Sequence, residues 1–192
     1  MATQLISRAA VLAIAMWISA LALGMAQSSQ ADGYGPLFAL VDAASQRLQT
    51  ADPVAAAKFK TGDPVDDPQR EQQVIDNVTS AADAKHVDTE YVKGIFRDQM
   101  DATSAIERAR LAGWKLNPGF VPAAVPDLTL LRATIDGLNR IMVDEIAAHW
   151  DSLNSANCAT SLDNARRGVL AARQLDDLYR QALTSATRSY CR

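Results

Sequence analysis

Apolar residues along this chain recur three and four positions apart, and no stretch alternates apolar with polar residues for long. The pattern predicts an all-α chain. A first helix is expected over residues 36–50, with Leu37, Leu40, Val41, Ala44 and Leu48 facing a core and Arg47 beside that stripe. Asp52-Pro53 reads as a helix-opening pair: the acid accepts a free backbone N–H, and proline needs no partner at the first helical position. The short second helix carries Lys58 and Lys60 and stops at Thr61-Gly62. Asp67-Pro68 repeats the opening for a third helix reaching about residue 85, with Val74, Ile75 and Val78 as its apolar positions. Asp88 caps a fourth, over 89–112. The run L-N-P-G-F-V-P-A-A-V-P at 116–126 is an ordered connector within one domain. A long helix follows over 128–154, through Leu131, Ile135, Leu138, Met142, Ile146 and Trp150, and the remainder from Cys158 is helical with a break near 174–176.

Two features depart from ordinary amphipathic patterning. In the fourth helix Gln99, Thr103 and Glu107 fall in the same sector as Val92, Phe96 and Ile106. Buried polar groups need partners, so these imply either a ligand site or a bridge from Glu107 to an Arg on a neighbouring helix. Arg70 and Arg132 also stand in first helical turns, where the dipole disfavours a cation unless an anion is near. For Arg70 that anion is a ligand, or else Asp66 or Glu71.

Composition adds compartment and charge. Arg8 precedes an apolar run from Ala9 to Ala26, a basic start and hydrophobic stretch of the kind that directs secretion. Small residues fit cleavage after Ala31, the preferred point, or after Ala26. The chain is thus read as a signal peptide over 1–31 and a helical domain over 32–192, secreted or periplasmic, with no membrane attachment after cleavage. Cleavage removes one cation and no acid, leaving the chain one unit more negative than its formal charge of −3, which excludes nucleic acid as a natural partner. Cys158 and Cys191 are the only cysteines, and an even pair in an exported chain implies a disulfide stapling the C-terminal helices. No Gly-rich phosphate loop or G-x-S-x-G elbow occurs. His86 and His149 lack metal-ligand spacing, so no metal is expected.

Arg47, Lys58, the D-x-x-R-E run of Asp67, Arg70 and Glu71, then Thr103 and Glu107, resemble the active-site pattern of the all-helical AroQ-type chorismate mutases. The signal segment, Arg132, the C-terminal extension and the cysteine pair make the likeness closest to the secreted gamma subclass. The resemblance implies cofactor-free rearrangement of chorismate, a small dianion, to prephenate, on the route to phenylalanine and tyrosine. It assigns Arg47, Arg70 and Arg132 to the carboxylates, with Thr103 at the ring carboxylate. Lys58 and Glu107 would donate to the ether oxygen of the breaking bond, Glu107 in protonated form where many relatives carry Gln. Asp67 and Glu71 would meet the hydroxyl, although some secreted relatives place a Gln where this chain has Val74. A homodimer is implied, with Arg132 completing each site inside one protomer. An isochorismate-pyruvate lyase on the same fold and a non-catalytic helical binding protein are the alternative functions.

Overall fold

The computed structural model describes residues 33–192; the expected signal segment and its cleavage points lie outside the described residues. All regular structure among them is helical. Helix α1 (Phe38–Gln49) and α2 (Ala51–Thr61) are joined by the single residue Thr50, whose Oγ1 donates to the Arg47 carbonyl at 2.7 Å. Here the structure corrects the expected Asp52 cap. The helix starts at Ala51, Pro53 sits in its first turn, and the Asp52 carboxylate accepts from Arg110 Nε at 2.7 Å. Because Pro53 lacks an N–H, the α1 ladder cannot run straight on into α2. Gly62, at φ 78°, ends α2 in the left-handed conformation that glycine adopts without steric cost.

Helix α3 (Pro68–Asp83) opens as the sequence predicts: Asp67 Oδ1 accepts from the Arg70 amide at 3.1 Å and Pro68 takes the first helical position. Val74, Ile75 and Val78 are buried. Helix α4 is capped by Asp88, which accepts from Glu90 and Tyr91 amides, and extends over Thr89–Leu116. It continues past the expected end because Trp114 is buried against Ala55 and Ala56 of α2 and meets Phe59 edge-on at 5.9 Å. Packing outweighs the helix penalty of Gly113, and Asn117-Pro118 ends the helix instead.

After a 3-10 turn at Pro118–Phe120, α5 (Leu128–Ala148) begins under an Asp127 cap. The single helix expected to residue 154 breaks at His149, and α6 (Trp150–Leu153) is a separate turn. The break lets Trp150 meet Tyr91 edge-on at 5.2 Å and places Leu153 in the core. Helices α7 (Cys158–Arg173) and α8 (Asp177–Ala186) are separated at Gln174, at φ 49°, where the sequence predicts a break. The Cys158–Cys191 disulfide, 5.6 Å between Cα atoms, ties the start of α7 to the tail beyond α8. Closing a loop of this length contributes on the order of 3–4 kcal/mol in the chain-entropy account.

The core joins α1, α3, α4, α5, α7 and α8, with Leu40, Phe96, Ile106, Met142, Ile146 and Tyr190 among its fully buried members. No helix of the described residues is long and apolar enough to cross a membrane. Helix α7 approaches the N-terminal segment closely at Gly168, where an added Cβ would lie 2.4–2.8 Å from Tyr34 ring atoms. Gly168→Ala is therefore expected to destabilise the protein by about 1–3 kcal/mol, read as a lowered urea midpoint at constant slope. An unchanged midpoint would mean that Tyr34 moves aside at no cost.

Candidate active site

Five helices surround a cavity of about 490 Å³, and each of them sends a charged side chain to its wall. Arg47 comes from α1, Lys58 from α2, Arg70 from α3, Glu107 from α4 and Arg132 from α5. Thr103, Asp67 and Glu71 also line it, so every candidate substrate-contacting residue read from the sequence reaches one cavity. Val54, Val74, Met100, Leu128 and Ile135 supply apolar surface between the charges.

Arg47, expected beside the apolar stripe of α1, is buried with 5% exposure. Its Nε donates to Asn139 Oδ1 at 2.7 Å and its Nη1 to Thr103 Oγ1 at 3.3 Å. Burial lowers its pKa to about 10, with the nearby Arg70 charge acting in the same direction, so it remains a cation at neutral pH. Thr103 can accept from Arg47 because its own proton goes to the Gln99 carbonyl at 2.8 Å. Gln99, fully buried, donates in turn to the Ala44 carbonyl of α1 at 2.7 Å. The polar sector of α4 is thus a chain of bonds joining α4 to α1, as well as one wall of the cavity.

Lys58 and Glu107 form the second cluster. Lys58 Nζ lies 2.9 Å from Glu107 Oε2 and donates to the Val65 carbonyl at 2.6 Å. Glu107 is 4% exposed, and burial pushes its carboxyl above the ordinary range, against the opposing hydrogen bond and charge of Lys58 and the charge of Arg108. An ammonium and a carboxyl whose ionised form is disfavoured by burial stand side by side.

The remaining cations face acids that the sequence did not reveal as their partners. Arg70 does not pair with Asp66 or Glu71; Nη2 donates to Asp136 Oδ1 at 2.6 Å and Nη1 to Gln73 Oε1 at 2.7 Å. Asp66 is occupied by Arg108. Arg132 is the fifth residue of α5, past the first turn in which it was expected, and donates to Asp67 Oδ2 at 3.2 Å. Asp67 therefore spans two elements, capping α3 with Oδ1 and holding Arg132 with Oδ2. The Arg132–Asp67 pair is open to solvent and holds weakly, whereas Arg70–Asp136 is partly buried.

Sequence reasoning missed Asn139 and Asp136. Asn139 carried a readable signal, a polar residue four after Ile135 and three before Met142, as clear as that of Gln99. Asp136 carried none, because its role arises from α5 packing on α3.

Comparison with known proteins gives the family to which the chain is similar. Residues 38–108 match the family described as chorismate mutase type II, a span that contains the candidate residues from Arg47 to Glu107 and leaves Arg132 outside. A secreted chorismate mutase of Mycolicibacterium smegmatis is 55% identical over 162 residues, covering 84% of this chain and 90% of that protein. One from Mycobacterium tuberculosis is 45% identical over 163 residues, covering 85% and 82%. The crystal structure of the chorismate mutase from Burkholderia phymatum superposes with a TM-score of 0.78 at 31% identity, over 83% of this chain and 98% of that one. The chain belongs to the secreted AroQ-type chorismate mutases.

Proposed function

We propose that this protein, an exported single-domain enzyme freed of residues 1–31, rearranges chorismate to prephenate within the cavity between α1 and α5. The observation that carries the reading is the convergence of Arg47, Lys58, Arg70 and Arg132 on one small, partly apolar cavity. A substrate with two carboxylates and a ring needs such walls. Guanidinium groups give bidentate contacts to carboxylates, so Arg47, Arg70 and Arg132 hold the two ends of the substrate. Holding both ends favours the compact conformer in which the carbons to be joined approach each other, which lowers the entropic part of the barrier.

The reaction breaks an ether C–O bond while forming a C–C bond, and the ether oxygen gains negative charge in the transition state. Two of the three Lys58 protons are directed to Val65 and Glu107, and the third serves the ether oxygen. Protonated Glu107 donates the second hydrogen bond. Both contacts strengthen as charge develops, which is what accelerates the chemical step. Thr103 serves the carboxylate end through Arg47, since its own proton is committed to Gln99. Asp67 and Glu71 accept from the substrate hydroxyl, Asp67 after Arg132 turns to a substrate carboxylate. The enzyme works as a homodimer in which Arg132 leaves each site complete within one protomer.

Purified mature protein is expected to consume chorismate, followed by its absorbance, and to release prephenate. Lys58→Ala should lower kcat by about 10²–10³, the usual cost of removing one such donor. No turnover by the wild-type protein would refute the mutase reading, and pyruvate as the product would indicate a lyase. Because the Glu107 pKa is raised by burial, the protonated fraction is high at low pH and is lost as pH rises through that value. kcat/KM should therefore fall with rising pH, and Glu107→Gln, which donates at any pH, should flatten that limb; an unaltered profile would refute a proton on Glu107. Sedimentation should give twice the protomer mass, with activity per protomer unchanged on dilution into monomer. Activity lost in step with dissociation would place part of the site in the partner.

A further inference from the structure

The cations of the cavity fall into two kinds. Lys58 contacts Glu107, Arg70 contacts Asp136 and Arg132 contacts Asp67, each within 3.2 Å of a carboxylate oxygen. Arg47 differs. Its side-chain hydrogen bonds among the described residues go to two neutral oxygens, those of Asn139 and Thr103. Yet it is the most deeply buried of the four, so its charge is the one least relieved by water. The carboxylates of Asp136 and Glu107 act on Arg47 only through space, and a buried guanidinium with no carboxylate in contact is destabilising unless something anionic completes it.

Asn139 lies one layer behind the cavity wall, 4% exposed on α5, between the core residues Leu138 and Met142. It does not line the cavity. Its carbonyl takes the Nε–H, which fixes the guanidinium plane, while Thr103 takes one Nη1 proton and fixes the tilt. The rest of the five-donor fork remains for a ligand. An aspartate has almost the same shape and would bind Nε more strongly. It would also cancel the charge that a substrate carboxylate must meet.

We infer that Asn139 is a positioning residue for substrate binding, orienting Arg47 with a neutral acceptor so that the full positive charge of the guanidinium is kept for a substrate carboxylate. This rests on the mutase reading above and deepens it. The binding of the dianion supplies the contacting carboxylate that the fold does not place on Arg47. Arg47 thereby contributes to affinity in proportion to the charge it has not already shared.

Asn139→Asp separates this role from a purely structural one. A structural role needs only an acceptor of the right shape, so Asp would keep both stability and KM. Under the inference, Asn139→Asp keeps its thermal midpoint, because it pairs with Arg47, while KM for chorismate rises about tenfold or more and kcat changes less. Asn139→Ala, which removes orientation but leaves the charge, should show a smaller rise in KM together with a lowered midpoint. Unchanged KM in Asn139→Asp would overturn the inference, as would a larger KM for Ala than for Asp. Should the Asp variant not fold, Ala decides alone: an unaltered KM overturns the proposal and a raised KM with kcat retained supports it. Wild-type turnover measured alongside keeps the two readings apart, since its absence refutes the mutase reading, and its presence with unchanged variant KM refutes the role of Asn139 alone.

Discussion

Burial of one permanent charge sets the terms for the rest of this molecule. Arg47 lies on the core side of α1, open only to the cavity, and a guanidinium so poorly hydrated costs several kcal/mol unless its donors are met. The neighbours that meet them come from different helices, Thr103 from α4 and Asn139 from α5. Three helices must therefore pack at a fixed spacing for the charge to be tolerated at all. The Gln99 amide, bonded to the Ala44 carbonyl, holds α4 against α1 just below that point. The polar bonds that make the core permissible also set the geometry of the site, so stability and function share the same residues.

Around that fixed charge the other groups are adjustable. Arg70 and Arg132 are each tied to an acid beside the cavity, and a substrate carboxylate can replace one carboxylate partner by another, most easily at the solvent-exposed Arg132. Lys58 and Glu107 occupy an intermediate position. They are close enough to pair, but burial works against the ionised carboxyl. A substrate that brings two negative charges shifts that balance further toward a proton on Glu107. The cavity thus contains one rigid anchor, two exchangeable clamps and a donor pair whose protonation responds to what is bound.

Much of the fold was legible in the sequence because its helices are punctuated by strong local signals. Asp67-Pro68, Asp88 and Gly62 set boundaries through backbone hydrogen bonding alone, which needs no tertiary context. The boundaries that differed were decided by packing: Trp114 carries α4 past Gly113, and the contact of Trp150 with Tyr91 accompanies the break at His149. At the site, periodicity exposed Gln99, Thr103 and Glu107 as polar groups in an apolar sector, and Asn139 was visible by the same rule. The partners of Arg70 and Arg132 were not, since a surface acid becomes a site residue only through the way two helices lie against each other. Asp52 shows the reverse case, a local capping signal left unused because the helix already begins at Ala51, so that the Asp52 carboxylate meets Arg110 instead.

The single-residue joint at Thr50 has a consequence for how the chain can vary in length. Arg47 and Lys58 stand on opposite sides of it, and both must point into the same cavity. Inserting or deleting one residue there would turn everything beyond the change by about 100° about the helix axis, carrying Lys58 away from Glu107. The connector between α4 and α5 imposes no such phase relation, because α5 starts afresh under its own Asp127 cap. Insertions and deletions should accumulate in that connector among relatives, while the segment from Arg47 to Lys58 keeps a constant length whatever its individual residues become.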